Sequence, residues 1–93
     1  MSGKVELKNI IERIKTALRD SNMESLIYTL GDLISRFNGY FFINPADIVY
    51  IRHFTSTVES CEVITIITRH GLHIAIRIYA RENVVEDVEV IHL

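Results

Sequence analysis

One cysteine and four histidines are spread through this 93-residue chain, and three acids fall close together near its end. These are the residues from which chemistry could be built. Cys61 beside a histidine would be a nucleophile with its base, since a thiolate needs a proton acceptor or positive charge nearby. Cys61 opens a strand on the expected core face, however, where a lone buried cysteine behaves as a small hydrophobe. His53, His70 and His73 offer no zinc-site spacing with a single Cys, and His70 and His73 straddle a turn and a strand, so their side chains need not converge. Glu86, Asp87 and Glu89 read as surface acids with no cleft implied. Gly3, Gly31, Gly39 and Gly71 are scattered and form no phosphate-cradling loop, and there is no nucleophile elbow. The sequence therefore points to no catalytic residue, no metal site and no cofactor.

A better candidate is a sheet face. In the stretch Ile48 to Phe54, Tyr50, Arg52 and Phe54 share one side, and Arg77 and Tyr79 alternate in the same way further on. Together with Ile64 and Ile66 they make a surface of aromatic, basic and β-branched side chains. Such a face can stack bases and track phosphates, as single-strand RNA binders do. It serves equally as a protein interface, where Tyr, Phe and Arg are enriched anchors. Two isoleucines suit a dry protein contact better than a wet phosphate channel. A formal net charge of -2 also gives no overall drive toward nucleic acid. The expectation is a small non-enzymatic interaction module that self-associates through its sheet, with a dimer favoured and another protein partner also open. Binding of single-stranded RNA or DNA is the alternative, and a small-ligand site or enzyme of unknown class is the second alternative.

The element that positions this face is the stretch from Cys61 to Ala80. Leu72, Ile74, Ile76 and Ile78 recur at every second position, and Cys61 to Arg69 is a β-branched run that packs well on a pleated surface. His70-Gly71 between them predicts a two-residue hairpin, because Gly accepts positive φ without steric penalty. That turn pairs Arg69 with Leu72. It places Val63, Thr65 and Ile67 with Ile74, Ile76 and Ile78 on the core face, and Glu62, Ile64 and Ile66 with His73, Ala75, Arg77 and Tyr79 on the other.

Before the sheet, Leu7, Ile10, Ile11, Ile14, Ala17 and Leu18 follow the spacing of an amphipathic helix, and Met23, Leu26, Ile27, Leu30, Leu33, Ile34 and Phe37 repeat it. Ser21 followed by Glu24 has the form of a capping box that starts the second helix, and Asn38-Gly39 ends it. The short connection predicts an αα-hairpin. Gly31 inside the second helix points to close approach of another backbone, either of the chain itself or of a second subunit. Tyr40 to Ile43, stopped by Pro45, is an edge strand or an extended plug under the helices. Val84 to Leu93 makes a last strand, with Val88 and Val90 on one side and Ile91 and Leu93 on the other. Met1 to Lys4 read as a frayed terminus.

The predicted fold is thus α+β, with an N-terminal αα-hairpin packed on one face of a three- to four-stranded antiparallel meander. It forms one domain over 1–93, with the helical hairpin at about 5–38 and the sheet at about 40–93. Hydrophobic content of 48% against 24% charged residues excludes wholesale disorder. No apolar run approaches the roughly 18 residues of a membrane-spanning helix, so a soluble chain with no membrane partner is expected. A lone cysteine and no leader-like start favour a reducing cytoplasm. The absence of Gln and Trp with abundant Ile fits a thermophile, or an AT-rich genome. The acids of residues 84–93, unaccompanied by Lys or Arg, are of the kind that keeps an edge strand from pairing with other chains.

Overall fold

The structure, a computed structural model, describes residues 4–93; the expected fraying of residues 1–3 lies outside it. Two helices precede a four-stranded antiparallel meander, as the periodicities predict. Helix α1 (Leu7–Arg19) and helix α2 (Met23–Ser35) are followed by strands β1 (Ile48–Ser56), β2 (Cys61–Thr68), β3 (His73–Arg81) and β4 (Val84–His92), in the spatial order β1-β2-β3-β4.

The helical hairpin turns on three residues. Ser21 adopts the left-handed conformation (φ 53°), its N–H donating to the Leu18 carbonyl at 3.2 Å and the Asn22 N–H to that of Ala17 at 2.8 Å. This pair of bonds satisfies carbonyls that the last turn of a helix leaves free. Because Ser21 is committed to ending α1, it cannot also cap α2. The cap falls instead to Asn22, whose Oδ1 accepts from the Ser25 N–H at 3.0 Å. The start of α1 is held from a distance. The Asn83 carbonyl accepts from the Leu7 N–H and its Oδ1 from the Lys8 N–H, both at 2.9 Å. Val5 joins in by accepting from the Val85 N–H at 2.9 Å. The β3–β4 turn thus caps the first helix.

After α2, Gly39 (φ +90°) redirects the chain into an extended segment that carries Ile43 into the core and ends in a single 3-10 turn at Pro45–Asp47. Of the two readings for Tyr40 to Ile43, the edge strand does not form; Ile43 is buried with Phe41 packed against the core, while Tyr40 and Phe42 are exposed beside α2. A Cβ on Gly31 would lie 3.3 Å from the Phe41 carbonyl oxygen. The close neighbour that Gly31 accommodates is the chain's own backbone.

The central hairpin differs from expectation by one residue. Thr68 and Leu72 close a three-residue loop, Arg69-His70-Gly71, with the Thr68 N–H donating to Leu72 O at 2.9 Å and the Gly71 N–H to Thr68 O at 3.0 Å. Gly71 takes φ +89°, the positive φ that such loops require at their last position. Arg69 is held by the turn before β1, its N–H donating to the Asp47 carbonyl at 2.8 Å and its Nε to Asp47 Oδ1 at 2.9 Å. A two-residue turn would have taken Arg69 into the ladder and left these bonds unmade. Ile66 therefore pairs with Ile74 and Ile64 with Ile76. Because side chains alternate with period two, a slip of one residue reverses every side chain of β2.

The core follows from this register. Ile64, Ile66, Ile74, Ile76 and Ile78 are buried together with Val85 and Val88 against Ile10, Ile14, Ala17, Leu26, Leu30, Leu33 and Ile34 of the helices. The expectation that Ile74, Ile76 and Ile78 face the helices holds, while Leu72, beyond the end of β3, is 37% exposed. Two irregularities set the outer strands. A bulge between Ile48 and Tyr50 leaves Val49 unpaired and keeps Ile51 opposite Ile66, and one after Tyr79 leaves Glu86 unpaired in β4. Both keep the apolar parity of the outer strands in step with the centre.

A candidate interaction surface on the open sheet face

Both helices pack on one side of the meander. The other side is built from the alternate residues of every strand, in rows set by the pairing. Tyr50, Ile67 and His73 form one row, and Arg52, Thr65, Ala75 and Ile91 the next. Phe54, Val63, Arg77 and Glu89 follow, and then Ser56, Cys61, Tyr79 and Asp87. Five of the residues expected at an interface meet here: Tyr50, Arg52, Phe54, Arg77 and Tyr79. Ile64 and Ile66 do not. Both are fully buried on the helix side, so their place on the open face is corrected by the hairpin register, and Val63, Thr65 and Ile67 stand there instead. Ile67 was missed because β2 carries apolar residues on both parities, so that its own pattern does not select a face, and Ile91 joins the face through its pairing with Ala75.

The centre of the face is a small apolar cluster. Cys61, Val63 and Ala75 are buried, with Phe54 and Tyr79 packed against them. Cys61 was expected on the helix side and lies instead within this second cluster, still as a small hydrophobe. Burial pushes its thiol up from the ordinary value of 9.0; the Glu59 carboxylate adds to this and Arg77 opposes it. A thiol held protonated in this way is a poor nucleophile. His53, the nearest histidine in sequence, projects to the opposite side of the sheet. There its Nε2 lies 2.7 Å from Glu62 Oε1, and Thr55 Oγ1 donates to the same carboxylate at 3.0 Å.

Around the cluster the charges are largely matched within the chain. The Arg52 guanidinium stands over the Phe54 ring at 4.8 Å from its centroid, a cation–π contact that spreads Arg52 over apolar surface. Arg77 Nη1 lies 3.3 Å from Glu59 Oε1, and the Tyr79 hydroxyl donates to Glu89 Oε1 at 3.0 Å. The Tyr79 hydroxyl beside Arg77 is the main reason its guanidinium sits above its ordinary range, and the Glu59 carboxylate acts in the same direction. Burial, reinforced by the bond to Glu89, pushes the Tyr79 phenol up from 10.0.

The described residues include no group of three or more His, Cys, Asp or Glu arranged to hold a metal ion. None of their helices is long and apolar enough to cross a membrane. No protein-family model, curated protein or solved structure matches the chain.

Proposed function

We propose that this chain is a small interaction module that associates with a second copy of itself through the open face of its sheet. The observation that carries the reading is the composition of that face. On the side of the sheet that neither helix covers, Tyr50, Phe54, Ile67, Tyr79 and Ile91 keep part of their apolar surface open around Val63 and Ala75, which are already buried. Small monomers rarely leave such a surface in water, and two-fold self-association is the commonest remedy. Four strands about 4.8 Å apart and eight or nine residues long outline a face of roughly 19 by 30 Å, on the order of 600 Å² before side-chain relief. That is comparable to the ~800 Å² each partner contributes to a standard interface. In such a dimer Tyr50, Phe54 and Tyr79 are the anchors, Arg52 lies toward the rim on the edge strand β1, and Arg77 lies within the face on β3.

The second reading, single-stranded RNA or DNA, draws support from Tyr50, Arg52 and Phe54 lying together on β1. It is weakened by the acids on the same face, since Glu59 engages Arg77 and Glu89 and Asp87 line the β4 side. Size-exclusion chromatography with light scattering at high micromolar concentration distinguishes the two. A dimer mass is expected, and an Ile67→Lys/Ile91→Lys variant is expected to be a folded monomer. A monomeric parent, or a double variant that keeps the parent's mass, refutes the interface. Salt-sensitive binding of a mixed-sequence oligonucleotide would favour the second reading.

A further inference from the structure

Away from the sheet, a groove of about 670 Å³ runs between α2 and the extended segment after it, lined by Ile27, Tyr28, Gly31, Tyr40, Phe41, Phe42 and Pro45, with Glu24, Asp32 and Ser35 along α2. Gly31 sets how closely the two walls approach. The Phe41 carbonyl approaches α2 at that point, and the chain on either side of it carries Tyr40 and Phe42 along the helix. Its volume falls within the ~300–1,000 Å³ of small-ligand sites. Three of its aromatic residues are unusually exposed for their size, with Tyr28 at 71%, Tyr40 at 90% and Phe42 at 60%.

The charge of the lining has one sign. It includes two carboxylates and no Lys, Arg or His. Asp32 shares its charge with Arg36 at 3.5 Å, and the Ser35 hydroxyl is spent on the Asp32 carbonyl at 2.8 Å. Glu24 makes no ion pair or hydrogen bond among the described residues. The groove therefore combines exposed aromatic surface with a carboxylate, Glu24, that has no cationic side chain beside it in the lining.

We infer that this groove binds a small organic cation of the quaternary ammonium class, with Tyr28, Tyr40 and Phe42 supplying the aromatic surface and Glu24 and Asp32 the negative charge. A quaternary ammonium presents methyl groups and a diffuse charge, so it meets aromatic surface with little hydration to lose. A primary ammonium is the more strongly hydrated ion and loses more on meeting a mainly aromatic surface. Attraction between a cation and aromatic rings, strengthened by a nearby carboxylate, is how such ions are held. The site is independent of the sheet face, so self-association and cation binding stand or fall separately.

The test is an NMR titration of the full chain with choline and, in parallel, with 3,3-dimethyl-1-butanol, its neutral isostere of nearly the same shape. Choline is expected to shift the Tyr28, Tyr40 and Phe42 resonances along a saturable curve, with the isostere at least about tenfold weaker. Phe42→Ala and Glu24→Gln are each expected to weaken choline binding severalfold. Phe42 is exposed enough that its loss leaves the fold intact, which the amide spectrum reports. Equal binding of choline and its isostere overturns the inference, as does the absence of a saturable shift with millimolar choline, or shifts confined to residues outside the groove.

Discussion

Truncating the two neighbouring isoleucines of β2 one at a time tests the hairpin register on which the core depends. Ile66 is fully buried beneath the helices and Ile67 is half-buried on the open face. Ile66→Ala removes three buried carbons, about 2.4 kcal/mol at roughly 0.8 kcal/mol each. The incompletely collapsed cavity adds about 1 kcal/mol, for a total of about 3–4 kcal/mol. Against a domain stability of about 5–15 kcal/mol this is a large loss, equivalent to a melting temperature lower by about 12–30 °C. Ile67→Ala removes the same carbons from a site already open to water and is expected to cost about 1 kcal/mol. Urea unfolding followed by circular dichroism at low micromolar protein measures both. Raising the protein concentration should raise the midpoint of the parent more than that of the Ile67 variant, since Ile67 alone of the pair lies on the proposed interface. The two-residue turn makes the opposite forecast. If Ile67→Ala costs as much as Ile66→Ala, or Ile66→Ala costs less than about 0.5 kcal/mol, the register described above is wrong.

Two further outcomes are expected. Asn83 caps α1 while holding φ +67° in the β3–β4 turn, so Asn83→Ala loses both the acceptor and the tolerance of positive φ and should cost about 1–2 kcal/mol in urea unfolding. Asn83→Gly, which loses only the acceptor, should cost less, and equal costs would remove the backbone part of the explanation. Alkaline pH should destabilise the fold, because burial raises both the Cys61 thiol above 9.0 and the Tyr79 phenol above 10.0. The unfolded chain releases these protons at the ordinary values while the folded chain retains them, so stability falls as pH rises through 9.0 and then 10.0 until the folded groups ionise in turn. Thermal melts across that range should show Cys61→Ala with a shallower decline than the parent, and an identical decline would refute the role of Cys61.

The sequence by itself determined the identity and order of the elements. Helical spacing in Leu7 to Leu18 and Met23 to Phe37, and alternation in Ile48 to Phe54 and Leu72 to Ile78, are local signals that survive folding because each buries one face of its own element. The same periodicities named the buried isoleucines of β3, and they grouped Tyr50, Arg52, Phe54, Arg77 and Tyr79 on a common face. Only tertiary structure decided which residues of β2 join them. In Cys-Glu-Val-Ile-Thr-Ile-Ile-Thr both parities are apolar, so hydrophobic pattern leaves the register open, and a hairpin loop of two or three residues selects opposite faces. The choice was made by contacts distant in sequence. Asp47 holds Arg69 out of the ladder, and the helices cover the wholly aliphatic set of Ile64 and Ile66 with Ile74, Ile76 and Ile78. The bulges at Val49 and Glu86, the capping of α1 by Asn83 and the groove beside Gly31 have the same origin. Each depends on segments that no local periodicity relates, brought together only when the core forms.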